Sequence, residues 1–346
     1  MLKKDLGLFL LIIVVGAVVA FLNPRFLSGL NIANTANLIG LFGLFALGEG
    51  FVIITGGIDL SVGSIFALLG VIFMDLLGNY NLPWPLAVVI IVAAGIGLGV
   101  IHGFLITKMK MQPFVVTLCG LLIYRGLARW YTDDGTAGFA FGQQFPTLDF
   151  LTTGRAFAVP GSFPGIPNSF IAFIVVAIIM AVVLHRSVFG RYLFAVGKNE
   201  EAARYSGIRS QAIIAATYVL CSGLAGLSAI YLAMYTRSIS PASHGNFYEL
   251  YAIAAAVLGG CSLRGGEGSI LGIVLGAILL QILQNLVNLL GIPSSLNFAV
   301  MGGVILIGVI ADMQLVAYRN RKANEKKQVP APGAAALGHA AAGEEK

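Results

Sequence analysis

Charge is scarce in this chain. Only 10% of its 346 residues are Asp, Glu, Lys or Arg, against about 25% in an ordinary soluble domain. That shortage excludes a water-soluble globule, which needs a charged surface. Cysteine is sparse too: Cys119, Cys221 and Cys261 are odd in number and all lie near apolar segments. They read as small packing residues and give no disulfide or metal framework. The chain has no Gly-x-x-x-x-Gly-Lys-Ser/Thr phosphate loop. It also lacks a His-Glu-x-x-His metal motif and a Gly-x-Ser-x-Gly nucleophile elbow. No catalytic residue and no metal-ligand set is therefore expected. Nor does any stretch alternate with the two-residue period of a barrel wall.

What is present is apolar sequence, 58% of the residues, with 44 glycines. The pattern predicts an all-α polytopic membrane protein with about ten transmembrane helices of spanning length. The expected spans are 6–22, 38–56, 62–77, 84–106, 113–130, 168–184, 212–235, 248–262, 269–290 and 297–317. With both termini cytoplasmic, sixteen Lys and Arg residues fall inside and three, Arg25, Arg155 and Arg237, fall outside. Arg125 and Arg129 lie within a span. That bias is the one expected of a correctly oriented membrane protein, and it accounts for the net charge of +6 without a nucleic-acid partner. The apolar run after Lys3-Lys4 is read as a membrane anchor. It is longer than a signal-peptide core, and removing it would break the charge topology. Residues 1–318 thus form one transmembrane domain. It has a cytoplasmic loop at 185–211 and an extracytoplasmic loop at 131–167 that is rich in Gly, Pro and Thr. The basic and Ala-rich tail at 319–346 is expected to be disordered.

Three patterns inside the apolar sequence invite a functional reading. Thr55-Gly56-Gly57-Ile58-Asp59-Leu60-Ser61-Val62-Gly63-Ser64 interrupts an apolar stretch, and paired glycines break helices. Asp59 or Ser61 is placed to cap the helix that follows. The segment is either a tight cytoplasmic turn or a broken helix lining a route through the membrane. A similar string recurs, Gly259-Gly260-x-x-Leu263 followed by Gly268-Ser269-Ile270. Either chance or two related hairpins explains it. Farther on, Gln281, Gln284, Asn285 and Asn288 fall on one helical face, opposite a stripe of Gly268, Gly272 and Gly276. Small residues four apart let helices pack closely, as do Gly95, Gly99 and Gly103. The amide face suits either a sugar's hydroxyls or hydrogen bonding between helices. Glu49 and His102 are ionisable groups within spans, which raises a functional question by default. Glu49 pairs with an arginine, lines a wet path or stays protonated.

The fourth pattern is a charged island at 197–210, with five basic residues between Arg186 and Arg209. Glu200, Glu201, Ala202, Ala203 and Arg204 favour a short helix, and Gly207 is placed to end it. A solvated connecting loop and a docking element for a soluble partner both fit a charge run.

At these residues the chain resembles the permease subunits of ribose/galactose/xylose-type carbohydrate ABC importers, the inner-membrane component of binding-protein-dependent systems. Residues 55–64 look like that family's signature. Residues 199–208 look like its ATPase-coupling loop, and Tyr248 to Gly268 resembles a third conserved block. The similarity runs over about 6–315. Tyr251 stands where a polar or charged residue is more usual, and the 131–167 loop is long. The resemblance implies a permease that does no chemistry itself. An ABC ATP-binding subunit would grip Glu200, Glu201, Ala202, Ala203, Arg204 and Gly207, and ATP and Mg would be held on that partner. A second permease copy or paralogue would complete the pathway, and an extracytoplasmic sugar-binding protein would deliver the sugar. The signature residues Gly56, Gly57, Asp59, Ser61 and Gly63 would form the broken helix. Gln281, Gln284, Asn285, Asn288 and Glu49 would line the path. An ion-coupled secondary transporter using Glu49 and Asp59 is the alternative, and a membrane-embedded enzyme using Glu49 and His102 a third reading.

Overall fold

The computed structural model describes residues 2–159 and 164–293, with isolated positions from 296 to 314. The chain divides into two units at 298/299. In the second unit the isolated described positions are helical. The expected span at 297–317 otherwise lies outside the described residues, as does the tail at 319–346.

The first unit is mainly helical. In chain order it contains α1 (Leu2–Leu22), α2 (Gly29–Ile54), α3 (Val62–Gly78), α4 (Trp84–Thr107), α5 (Pro113–Tyr131) and α6 (Pro146–Thr153). After these come α7 (Asn168–Arg186), α8 (Val188–Lys198), α9 (Glu200–Tyr205), α10 (Ser210–Thr236), α11 (Tyr248–Leu258) and α12 (Ile270–Leu289). Helix starts are set by side chains that accept from the free N–H groups of the first turn. Ser28 caps α2, Ser187 caps α8, Asn199 caps α9 and Ser269 caps α12. Among the described residues five helices, α2, α4, α7, α10 and α12, are long and apolar enough to cross a membrane.

Helix α2 is the axis of the bundle. Nearly all of it is buried, against α10, α7, α11 and α12. The glycine stripes are where helices meet. A Cβ on Gly95 or Gly99 would lie 2.6 Å from a carbonyl of α10, and one on Gly103 would lie 2.9 Å from Ala215. Likewise Gly272 and Gly276 of α12 lie against the backbone of Gly259 and Ala255. Missing side chains let these backbones touch, which is how helices gain dispersion contact where lipid offers no hydrophobic drive.

The bundle has two ends. At one, called here the α9 end, lie α8, α9, the end of α2 and residues 259–269. At the other, the α6 end, lie α6 and two short antiparallel ladders. One ladder pairs Ala137 with Ile239 and the other pairs Arg155 with Pro167. The described parts of the loop expected at 131–167, residues 131–159 and 164–167, are thus folded onto the bundle. One expected span is corrected. Residues 248–262 form a helix of only 11 residues, Tyr248–Leu258, about 16 Å long. Turns over 241–247 and the left-handed Phe247 delay its start, and Gly259-Gly260 ends it.

Candidate functional site

The break between α2 and α3 turns inward. Gly56 adopts φ +84°, a left-handed conformation that glycine reaches without strain. The chain then doubles back beside the last turns of α2. The Asp59 N–H donates to Glu49 Oε1 at 3.1 Å, and Glu49 lies about 7.5 Å along the helix before Ile54. Within the 55–61 segment Gly57, Asp59 and Ser61 are buried, Thr55, Ile58 and Leu60 are half-buried and Gly56 is exposed, so the polar side of the break faces into the bundle.

Around it five helices bring polar side chains together. The Ser61 N–H and hydroxyl both donate to Asp59 Oδ1, at 2.9 and 2.5 Å. Ser61 is the N-cap residue of α3 by position, yet its side chain makes no capping bond. Its hydroxyl donates instead to the Asp59 carboxylate. His102 Nδ1 of α4 lies 3.8 Å from Asp59 Oδ2, and His102 Nε2 lies 2.9 Å from the Tyr124 hydroxyl of α5. The Cys221 thiol of α10 lies 3.7 Å from Glu49 Oε2. Thr117 Oγ1 donates to the Ile58 carbonyl at 3.3 Å. Glu49 and Asp59 are 0% exposed and His102 1%. Carboxylates sealed this deeply persist only with partners, and the partners here are protein groups. Close approach is again made by glycine. A Cβ on Gly57 would meet the Tyr218 hydroxyl at 2.5 Å, and one on Gly120 would meet His102 Nε2 at 2.9 Å. Among the described residues Glu49 pairs with no arginine; its hydrogen-bond partners are Asp59 and Cys221.

One turn beyond, Gly63 of α3 packs against the backbone of Gly245, just before α11. The starts of α3 and α11 thus face each other inside the bundle. Glu249, in the first turn of α11, is 7% exposed and complements the positive end of that helix. Arg125 donates to the carbonyls of Pro241 and His244 at 2.7 and 2.6 Å, so it pins the 240–247 turn. Arg129 pairs with Asp134 at the surface. Tyr251 contacts Tyr248 edge-on, with ring centroids 6.4 Å apart.

The two similar glycine strings are alike in structure but not in the register that the letters suggest. Gly56 and Gly260 are equivalent, each with positive φ two residues past a helix end. Ser61 and Ser269 are then the equivalent N-caps, and Ser64 lies inside α3. The two elements touch: the Gly266 N–H donates to the Ile54 carbonyl at 2.8 Å.

On α12, the four amides occupy different surroundings. Gln281 is buried, Gln284 and Asn285 are half-buried and Asn288 is exposed. Asn285 exchanges two hydrogen bonds with Asn31 of α2, at 3.0 and 2.9 Å. It therefore joins helices. The side chains of Gln281, Gln284 and Asn288 make no hydrogen bond among the described residues.

The charged island folds as α8 and α9. Asn199 Oδ1 accepts from the Ala202 N–H at 2.9 Å, and Glu200 Oε1 accepts from the Ser210 hydroxyl at 3.0 Å. These bonds hold α9 to the start of α10. Ala203 faces inward, while Glu201, Ala202, Arg204 and Tyr205 are exposed. Gly207, at φ +83°, stands in open space. Two residues before α9's cap, Gly197 presses on the Ile54 carbonyl and the Gly266 N–H. The end of α8, which leads directly into α9, is thus in backbone contact with the end of α2.

Sequence reasoning singled out Glu49, Asp59, Ser61 and His102. It missed Tyr124, Thr117, Tyr218 and Cys221 as members of the same cluster. Each looks like ordinary apolar-span sequence, and only the fold brings them to the break. The one local signal was Gly120, a small residue in a bulky helix.

Comparison with known proteins adds an independent line. Residues 31–309 match the family model described as branched-chain amino acid transport system / permease component. The ribose import permease protein RbsC of Bacillus subtilis is 42% identical over 89% of this chain and 91% of its own length. The D-allose transport system permease protein AlsC of Escherichia coli is 32% identical over 88% and 90%. The fructose import permease protein FruF of Bifidobacterium longum is 31% identical over 82% and 77%. No solved structure matches the chain.

Proposed function

This chain belongs to the permease components of the branched-chain amino acid transport system family, and from that premise we propose that it passes a simple sugar through the cytoplasmic membrane for an ATP-driven importer. It is a multi-pass membrane protein and a transport subunit, not an enzyme. The sugar class is taken from the ribose, allose and fructose named for its relatives.

About ten spans with both termini in the cytoplasm put the α9 end inside the cell. There an ATP-binding subunit docks on the exposed face of α9, through Glu201, Ala202 and Arg204, with ATP and Mg bound to that partner. A second permease, identical or related, completes the pathway, and an extracytoplasmic binding protein delivers the sugar. The observation that carries this reading is the contact of Gly197 with Ile54 and Gly266. It joins the end of α8, which runs through Asn199 into the docking helix, to the end of α2 by backbone contact, so a push on α9 reaches the membrane domain through α8. Glu249 and the uncommitted amides Gln281 and Gln284 supply polar groups within the bundle, and Asn288 supplies one at its surface. Glu49 and Asp59 are engaged with protein partners, which suits a structural lock better than an exchangeable ion site.

The test is vesicle uptake with and without the ATP-binding subunit. Uptake that needs ATP and that subunit is expected; accumulation by this chain alone, driven by an ion gradient, would overturn the proposal. In addition, Ala202→Arg should lose co-purification of the ATP-binding subunit while inserting in the membrane at normal yield.

A further inference from the structure

The α6 end holds a cavity that the transport reading leaves unused. Its volume is about 390 Å³, within the range of about 300–1,000 Å³ typical of small-molecule sites. Four separate segments build it: the first turns of α2, the helix α6, the ladder at 155–156 with 166–167, and the end of α10. The long loop at 131–167 therefore has a place in the fold. It closes one side of a concave surface.

The lining has a definite chemistry. Asn34, Asn37, Asp149, Arg155 and Arg237 contribute planar groups that donate or accept hydrogen bonds, and Tyr235 adds a half-exposed aromatic ring. Protein contacts hold these groups in place. Arg237 donates to Asp149 Oδ1 at 3.1 Å, and Arg155 donates to Asn34 Oδ1 at 3.0 Å. Asn37 Oδ1 accepts from the Ser169 hydroxyl at 2.5 Å. The Asn37 amide nitrogen and the Tyr235 hydroxyl have no hydrogen-bond partner among the described residues. A positioned pocket with spare donors and acceptors is what a polar ligand needs.

Charge selects the class. A simple anion would face the Asp149 carboxylate, and a cation would face two guanidinium groups. A neutral polyhydroxylated molecule meets neither obstacle, since each hydroxyl donates to Asp149 or an amide oxygen and accepts from Arg155 or Arg237. The apolar face of a sugar ring also has a flat surface to lie on in Tyr235.

We propose that this cavity is an outer binding site for a monosaccharide, occupied before the sugar enters the membrane pathway. The inference rests on the sugar-permease reading above and adds to it. It gives the permease its own weak selectivity, in addition to that of the binding protein.

The test uses the full-length chain with its ATP-binding subunit in lipid nanodiscs, without binding protein. Radiolabelled D-ribose, D-allose and D-fructose are the probes. At least one should bind saturably. Asp149→Asn and the surface change Asn34→Leu should each weaken that binding about tenfold, as expected for losing hydrogen bonds to charged groups. Both variants should keep wild-type amounts of the ATP-binding subunit. Three results would overturn the inference: no saturable binding by the wild-type complex, unchanged binding by both variants, or tighter binding of D-ribonate than of D-ribose. ATP-driven uptake into sealed vesicles that carry the same complex, with the binding protein supplied outside, separates the two claims. Uptake without binding removes the outer site and leaves the permease reading standing; no ATP-driven uptake of any of these sugars removes the permease reading.

Discussion

Asp59 shows how much one residue does when backbone leaves the helix inside a membrane. Its carboxylate takes both polar hydrogens of Ser61 and faces His102, while its own N–H reaches Glu49. Asp59→Ala should therefore strip two acceptor contacts from the start of α3, at about 1.5–3 kcal/mol for each hydrogen bond to a charged group. A lowered melting temperature in detergent checks this; a melt equal to wild type would remove the lock from the account. The sequence marks Asp59 and Glu49 as unusual but does not pair them. They are ten residues apart, an offset that brings no two residues together on a helix. The pairing exists because Gly56 reverses the chain. Asn285 is the converse case. Its face was legible from spacing alone, yet its partner Asn31 lies 254 positions away, and only the packing of α2 on α12 brings them together.

At the scale of elements, glycine is the common device. Runs at four-residue spacing mark the α4–α10 and α11–α12 contacts, and these were legible before any coordinates because a smooth helix face has few other uses. The length of α11 was not legible. Apolar sequence continues through 248–262 whether the backbone is helical or turning, and hydropathy does not sense the left-handed Phe247. The most consequential glycine lies outside both stripes. Gly197→Ala would force a methyl group into the Ile54 carbonyl and the Gly266 N–H. The variant should bind the ATP-binding subunit normally yet lose at least about tenfold in sugar uptake, because the end of α8, which carries the docking helix, would no longer seat against α2. Full uptake at normal expression would show that α9 communicates by another route.

For the whole molecule, the amide face of α12 decides how far a pathway can be read from one chain. Asn285 is committed to a neighbour, whereas Gln284 and Asn288 are half-buried and exposed and without hydrogen-bond partners among the described residues. Gln284→Leu and Asn288→Leu should slow uptake several-fold while leaving the ATP-binding subunit attached, as measured by initial rates in vesicles. Unchanged rates in both would take this face out of the route. Class and the short helix at Glu200–Tyr205 were readable from composition and local propensity, since each depends on residues near one another in sequence. The break and the cavity at the α6 end were not, since each is assembled from segments scattered over more than a hundred residues.

The sealing of the break has a practical consequence. Cys221 and Cys261 are buried while Cys119 is exposed, so an alkylating reagent applied to the resting protein should modify a single position. If the transport cycle loosens the core, the thiol beside Glu49 becomes reactive for as long as that state lasts. The natural sequence thus carries its own chemical clock, readable by mass spectrometry under turnover without an engineered label.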